Sequence, residues 1–333
     1  MTAVTIAVCA AALTALLIAS LRPLLVRYAM ARPNARSSHT TPTPQGGGMA
    51  IVAAWIMVAG MAMAATGTWP QNTLSIVAVF GACVLIAVLG AIDDIKPIDV
   101  APRLFFQFVA VASVIAILPS DFQMTPVLPW WLERVLLVLA GVWFVNLVNF
   151  MDGLDWMTVA EMVPLTGGLV LLGVLGALPA YAVVCALALL GALIGFAPFN
   201  RPVARLFLGD VGSLPLGLIV GWLLALLANK GHLAAALLLP LYYLMDATIT
   251  LLRRLSKGER VWQAHRSHFY QRATDNGFTV KEVVAYVFAV NLLLVALATL
   301  CVRLNTPSTE MAALLIGAGL VGWLLIRFSR KRG

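Results

Sequence analysis

Apolar stretches of roughly spanning length recur along the whole chain, separated by short polar punctuation. A bilayer-crossing helix needs about 20 mostly apolar residues, and windows of that kind predict eleven helices. They cover about 2–21, 48–65, 73–92, 104–118, 132–150, 160–177, 180–197, 212–228, 232–252, 283–302 and 311–327. The first, from Thr2 to Leu21, has no basic residues ahead of it and is longer than a signal-peptide core, so it reads as a retained helix. The segment 32–48 (RPNARSSHTTPTPQGGG) is too polar and too rich in Pro and Gly for a helix and reads as a loop. No internal repeat and no separate soluble domain is evident.

Composition agrees with that pattern. Hydrophobic residues make up 62% of the 333 and charged ones only 11%, against about 25% charged in a soluble domain. The expected fold is an all-α, polytopic membrane bundle, one domain over 1–333 with polar loops near 22–47, 93–103, 150–159, 198–211 and 253–282. The positive-inside bias orients it. With the loop after the first helix in the cytoplasm, 19 of the 22 Lys and Arg residues share that side and only Arg134, Lys230 and Arg303 lie on the other. The N-terminus is then periplasmic and the C-terminus cytoplasmic, and the net charge of +8 belongs mainly to the cytoplasmic face. Trp69, Trp130 and Trp131 read as interfacial anchors. The four cysteines lie far apart in apolar segments and read as packing residues without disulfide or zinc spacing.

Against that background, carboxylates at helix ends stand out. GAIDDIK carries Asp93 and Asp94, NFMDGLDWM carries Asp152 and Asp155, and LFLGD carries Asp210. The predicted topology brings all of them to the cytoplasmic side. Acids are kept at such depth where they are paired, hydrated or bound to a cation. Adjacent carboxylates repel, and Lys96 offers one compensating charge. Magnesium suits them, since it binds through one or two carboxylates and completes its shell with water and substrate phosphate. Asn149, Asp152 and Asp155 follow at i, i+3 and i+6; they share a face if the helix continues, or form a loop over a ligand if it breaks at Gly153. Phe207 offers an aromatic platform, and Gly209 and Gly212 mark a helix start whose free N–H groups favour an anion.

The histidines divide. His232 reads as structural and His39 as either a loop group or a substrate contact. His265 and His268 flank Arg266 in the second long polar stretch, a set suited to diphosphate and sugar recognition. Asp246, two turns before Arg253 and Arg254, reads first as a buried structural pair with them and second as a catalytic group.

TPTPQGGG, GAIDDIK, NFMDGLD, LFLGDVGS and HRSHFYQR, in this order across eleven spans, resemble the polyprenyl-phosphate N-acetylhexosamine-1-phosphate transferase superfamily (glycosyltransferase family 4). The resemblance implies transfer of a sugar 1-phosphate from a UDP-N-acetylhexosamine to undecaprenyl phosphate, releasing UMP at the cytoplasmic face of the bacterial inner membrane. It implies Asp210 as the leading Mg2+ ligand with Asn149 assisting, Mn2+ being a substitute. Asp93 and Asp94 are then the catalytic pair at the reacting phosphates. Asp152, Gly153, Leu154, Asp155 and Phe207 make up the nucleotide pocket, with Thr43, Lys96, His265, Arg266 and His268 as further substrate contacts. Direct attack by the lipid phosphate and a phosphosugar-enzyme intermediate both stay open, the former preferred because a phosphate monoester is already a nucleophile.

The peptidoglycan translocase is expected to carry a run of histidines followed by Phe-Glu, which Arg266, Ser267 and Tyr270 interrupt. That argues for a simpler N-acetylhexosamine and an O-antigen-initiating type of enzyme, with GlcNAc, FucNAc and QuiNAc all open. No nucleic-acid partner is expected, and a homodimer is left open. Of the rival classes, CDP-alcohol phosphatidyltransferases fail on their motif, since Asp152-Gly153 is followed by Leu-Asp-Trp-Met. A polytopic secondary transporter with functional aspartates is the non-enzyme alternative.

Overall fold

The computed structural model describes residues 1–31, 41–118, 122–124, 127–261 and 265–332, and His39 lies outside these. Among them the chain is all-α apart from one small ribbon. The helices are α1 (Ala3–Tyr28), α2 (Gly48–Thr66), α3 (Thr73–Ile95), α4 (Val100–Ala116), α5 (Trp130–Met151), α6 (Met157–Val174) and α7 (Ala180–Phe196). They continue with α8 (Asp210–Asn229), α9 (Leu233–Leu238), α10 (Leu241–Ser256), α11 (Phe269–Asp275), α12 (Val280–Leu304) and α13 (Pro307–Ser329). Eight of them are long and apolar enough to cross a membrane, with α4 and α7 shorter apolar helices of 17 residues. The chain is thus a multi-pass membrane protein by length and composition.

Every predicted segment is helical, with one correction. The stretch 232–252 is two helices broken at Leu239–Pro240. Pro240 is the N-cap of α10, a position that tolerates its missing N–H where a helix interior would not.

The helix α8 is the most enclosed of the spans, with α2, α3, α5 and α9 packed around it. Glycine lets them come close. A Cβ on Gly90 of α3 would collide with the backbone of Asp210, and one on Gly48 of α2 with the backbone of Gly212. Small residues at crossings let backbones approach in this way where lipid provides no hydrophobic drive. The first residue of α8 is therefore held directly against α3.

The polar loop ahead of α2 closes as an antiparallel ribbon, β1 (Met30–Ala31) with β2 (Thr43–Pro44). It continues onto the strand-like entry to α8: Phe207 N–H donates to the Pro44 carbonyl and Gly47 N–H to the Phe207 carbonyl, both at 2.9 Å. This joins TPTPQGGG to LFLGD, motifs more than 160 residues apart.

Candidate active site at the start of helix α8

The carboxyl ends of α3 and α5 and the amino end of α8 converge, bringing the three acidic motifs together. Asp94 accepts from the Asp210 N–H at 3.0 Å and the Val211 N–H at 3.2 Å, and its own carbonyl accepts from Gln45 Nε2 at 2.7 Å. Its charge complements the positive end of the helix dipole. The expected free N–H groups at this helix start are thus already occupied, and the anion they hold is Asp94 itself.

Asp93 turns from the α8 backbone to Arg103 and the side chain of Asp210. It accepts from the Ile98 N–H at 2.5 Å and from Arg103 Nη1 at 3.0 Å. Arg103 also lies 3.8 Å from Asp210, so it, and not Lys96, is the counter-ion of the acidic pair. Lys96 is exposed at the C-cap of α3. Asn149, in the last turn of α5, donates through Nδ2 to Asp210 at 2.7 Å and to Ser213 at 2.9 Å.

The helix α5 ends at Asp152, and the alternative of a break is the one observed. The turn from Gly153 to Trp156 places Trp156 at φ +63°, a conformation costly for a residue with a Cβ. Two bonds hold it: Trp156 N–H to Asn200 at 2.8 Å and its indole N–H to the Ala197 carbonyl at 2.7 Å. Asp155 accepts from the Ala204 N–H at 2.9 Å, and Thr158 donates its hydroxyl to Asp152. Burial, with the nearby charges of Asp94 and Asp155, pushes the Asp152 carboxyl up to about 7 despite the Thr158 bond.

Two clefts open from this junction. One, of about 650 Å3, is bordered by Thr43, Gln45, Asp152 to Asp155, Phe207 and Lys281. The other, of about 570 Å3, runs between α4, α5 and α10 and is bordered by Arg103, Trp143, Phe150, His265 and His268. Asn149, Asp210 and Gln271 border both.

Asp246 organises the histidine end. Fully buried in α10, it accepts from the backbone N–H groups of Phe269 (3.0 Å) and Tyr270 (3.1 Å) and lies 3.2 Å from His268 Nδ1. Its expected pairing with Arg253 and Arg254 is not observed; Arg254 pairs with Glu259 at 2.8 Å and Arg253 bonds the Ser267 carbonyl at 3.0 Å. The buried structural role holds, with a different partner. Tyr270 reaches the Phe150 carbonyl at 3.0 Å, which docks α11 on the end of α5. His265 is held down to about 4 by burial and by the neighbouring charges of His268 and Arg254, so near neutral pH it offers a neutral hydrogen-bonding ring. Arg266 borders neither cleft; it pairs with Asp275 at 3.2 Å and Thr274 at 3.3 Å.

Arg103, Gln45, Ser213, Tyr270 and Gln271 carried no assigned role in the sequence. Gln45 and Tyr270 lie inside quoted motifs, and Arg103 opens the helix after GAIDDIK, so proximity to a motif was the available signal.

The donor set fits magnesium. Among the described residues no three or more His, Cys, Asp or Glu side chains form a metal cage; magnesium needs only one or two carboxylates and fills its shell with water and phosphate. The two bonds of Asn149 both use Nδ2, leaving Oδ1 for such an ion beside Asp210.

Residues 76–228, which hold all three acidic motifs, match the glycosyl transferase family 4 model. The chain is 28% identical over 302 residues to a Bacillus subtilis (strain 168) protein named "Probable undecaprenyl-phosphate N-acetylglucosaminyl 1-phosphate transferase", covering 83% of this chain and 80% of that one. It is 27% identical to the decaprenyl-phosphate N-acetylglucosaminephosphotransferase of Mycolicibacterium smegmatis (strain ATCC 700084 / mc(2)155), covering 80% and 74%. The phospho-N-acetylmuramoyl-pentapeptide-transferase of Lacticaseibacillus paracasei (strain ATCC 334) matches at 28% over 63% of this chain and 68% of its own.

Proposed function

With the resemblance to the polyprenyl-phosphate N-acetylhexosamine-1-phosphate transferases borne out by these relatives, we propose that this chain transfers an N-acetylhexosamine 1-phosphate from a UDP-sugar to undecaprenyl phosphate. One observation carries the reading: a cleft lined by the Asp152 to Asp155 turn and Phe207 meets, at Asn149 and Asp210, a second lined by Leu104, Leu139, Val142 and Trp143 beside Arg103 and the histidines, as a water-soluble donor and a lipid acceptor require. The uracil lies in the first cleft against Phe207, near Asp152 to Asp155. The lipid phosphate enters the second, past Arg103, His265 and His268, with its chain toward the membrane.

An oxygen of the acceptor phosphate forms a new bond to the sugar-bearing phosphorus, the bond from that phosphorus to the bridging oxygen breaks, and UMP leaves with the electron pair. Both Asp93 and Asp94 are committed through both oxygens to protein donors, which supports direct attack over a covalent aspartyl intermediate. They act by fixing Arg103 and the start of α8. Asp210 and Asn149 would hold magnesium, which would supply charge neutralisation at the phosphates.

The excess of Lys and Arg beside these loops supports a reaction at the cytoplasmic face of the inner membrane, and the HRSHFYQR loop favours a first step of O-antigen or related surface-polysaccharide synthesis. The test is direct. Detergent-purified protein should release UMP only when a UDP-N-acetylhexosamine, polyprenyl phosphate and magnesium are all present, and mass analysis of the lipid product names the sugar. Release of no UMP from any such donor would favour the transporter reading.

A further inference from the structure

Three residues border both clefts, and only Asn149 and Asp210 have roles so far. Gln271 is the third. It lies in the first turn of α11, 7% exposed, and its amide orientation is fixed by chemistry. The His268 backbone N–H, which can only donate, bonds one end at 3.3 Å, so that end is Oε1. Nε2 is therefore the end turned toward the Asp152–Asp155 turn. A Cβ built on Gly153 would stand 3.3 Å from it, beyond a harder clash with the Tyr270 hydroxyl, so the glycine leaves the amide facing the turn. No described protein group accepts from Nε2. A nearly buried amide donor facing the meeting point of two clefts calls for an acceptor there.

We propose that Gln271 is a substrate-contacting residue, its Nε2 donating to an anionic oxygen of the donor's diphosphate where the two clefts join. This rests on the function proposed above, which puts that diphosphate beside Asp210. The residue would help hold the transferred phosphorus in line between nucleotide and acceptor, a positioning effect. Its helix-capping bond, through Oε1, is a separate and merely structural role.

Two substitutions separate the roles. Gln271→Glu keeps an acceptor for the His268 N–H and replaces the donor by a negative charge facing the diphosphate. Gln271→Leu removes both. If Nε2 contacts the diphosphate, the Glu variant keeps the parental melting temperature, binds uridine as the parent does, and loses about tenfold to a hundredfold in UDP affinity and in turnover. The Leu variant loses turnover similarly and melts lower. Parental UDP affinity and turnover in the Glu variant would leave Gln271 a helix cap and overturn the proposal. A parent that turns over no donor counts against the transferase reading alone, because UDP against uridine binding still reads the contact.

Discussion

Asp94 and Asp210 are joined through the backbone: the carboxylate ending α3 receives the N–H of the residue that begins α8, at 3.0 Å. The side chain of Asp210 is thereby left to face the clefts. Two aspartates that read alike in the sequence thus divide the work, one holding the helix and the other presenting its charge.

That division separates two variants. Asp94→Ala strips the start of α8 of its cap, which should cost about 0.5–2 kcal/mol of stability as well as activity. Asp210→Asn should abolish nearly all UMP release while the melting temperature holds, since a neutral amide replaces the charge a cation needs. Calorimetry beside the turnover assay checks both, and an unchanged melting curve for Asp94→Ala would deny its capping role.

Arg103 lies 3.0 Å from Asp93 and 3.8 Å from Asp210, so it competes with any cation at Asp210. Arg103→Gln should lower turnover yet reduce the magnesium needed for half-maximal rate by about twofold to fivefold, the scale of a partly screened charge interaction. A magnesium titration reads it; an increased requirement would mean Arg103 does not oppose the ion.

Phe207 is only partly buried while its backbone is pinned to Pro44 and Gly47, so removing the ring should leave the fold in place. Phe207→Ala should weaken UDP-sugar binding by about 1–3 kcal/mol, by analogy with base stacking on aromatic residues. Affinity equal to the parent's would return the ring to a packing role.

The Asp152 carboxyl, raised by burial from 3.8 to about 7, binds its proton more tightly folded than unfolded. Its stabilising contribution is full below pH 4 and is lost as pH rises through about 7. Asp152→Asn should therefore melt progressively higher relative to the parent between pH 5 and 8. Parallel melting-temperature profiles across that range would show that Asp152 titrates normally.

Helices were the legible part of this chain because each span is apolar over most of its length, a signal that needs no partner. The break at Leu239–Pro240 was hidden because residues 232–252 are apolar enough in sequence to read as one span. The site divides likewise. Asp93, Asp94, Asp152 and Asp210 were conspicuous as charges in an apolar chain, whereas their partners depend on contacts between remote segments. Asp246 shows this best: Arg253 and Arg254 were the cations nearest along the helix, but His268 and the start of α11 reach it through space. Arg266 read as a substrate group from its neighbours in the loop, and Asp275 at the far end of α11 pairs with it.

The shared border of the two clefts bears on inhibitor design. A single molecule carrying a uridine at one end and an alkyl chain at the other, joined through a phosphate-like centre, would fill both compartments without crossing protein. Linking the halves makes the second engagement intramolecular, so modest affinities of the fragments would combine into tight binding. The linker should be short, because Asn149 and Asp210 already belong to both compartments.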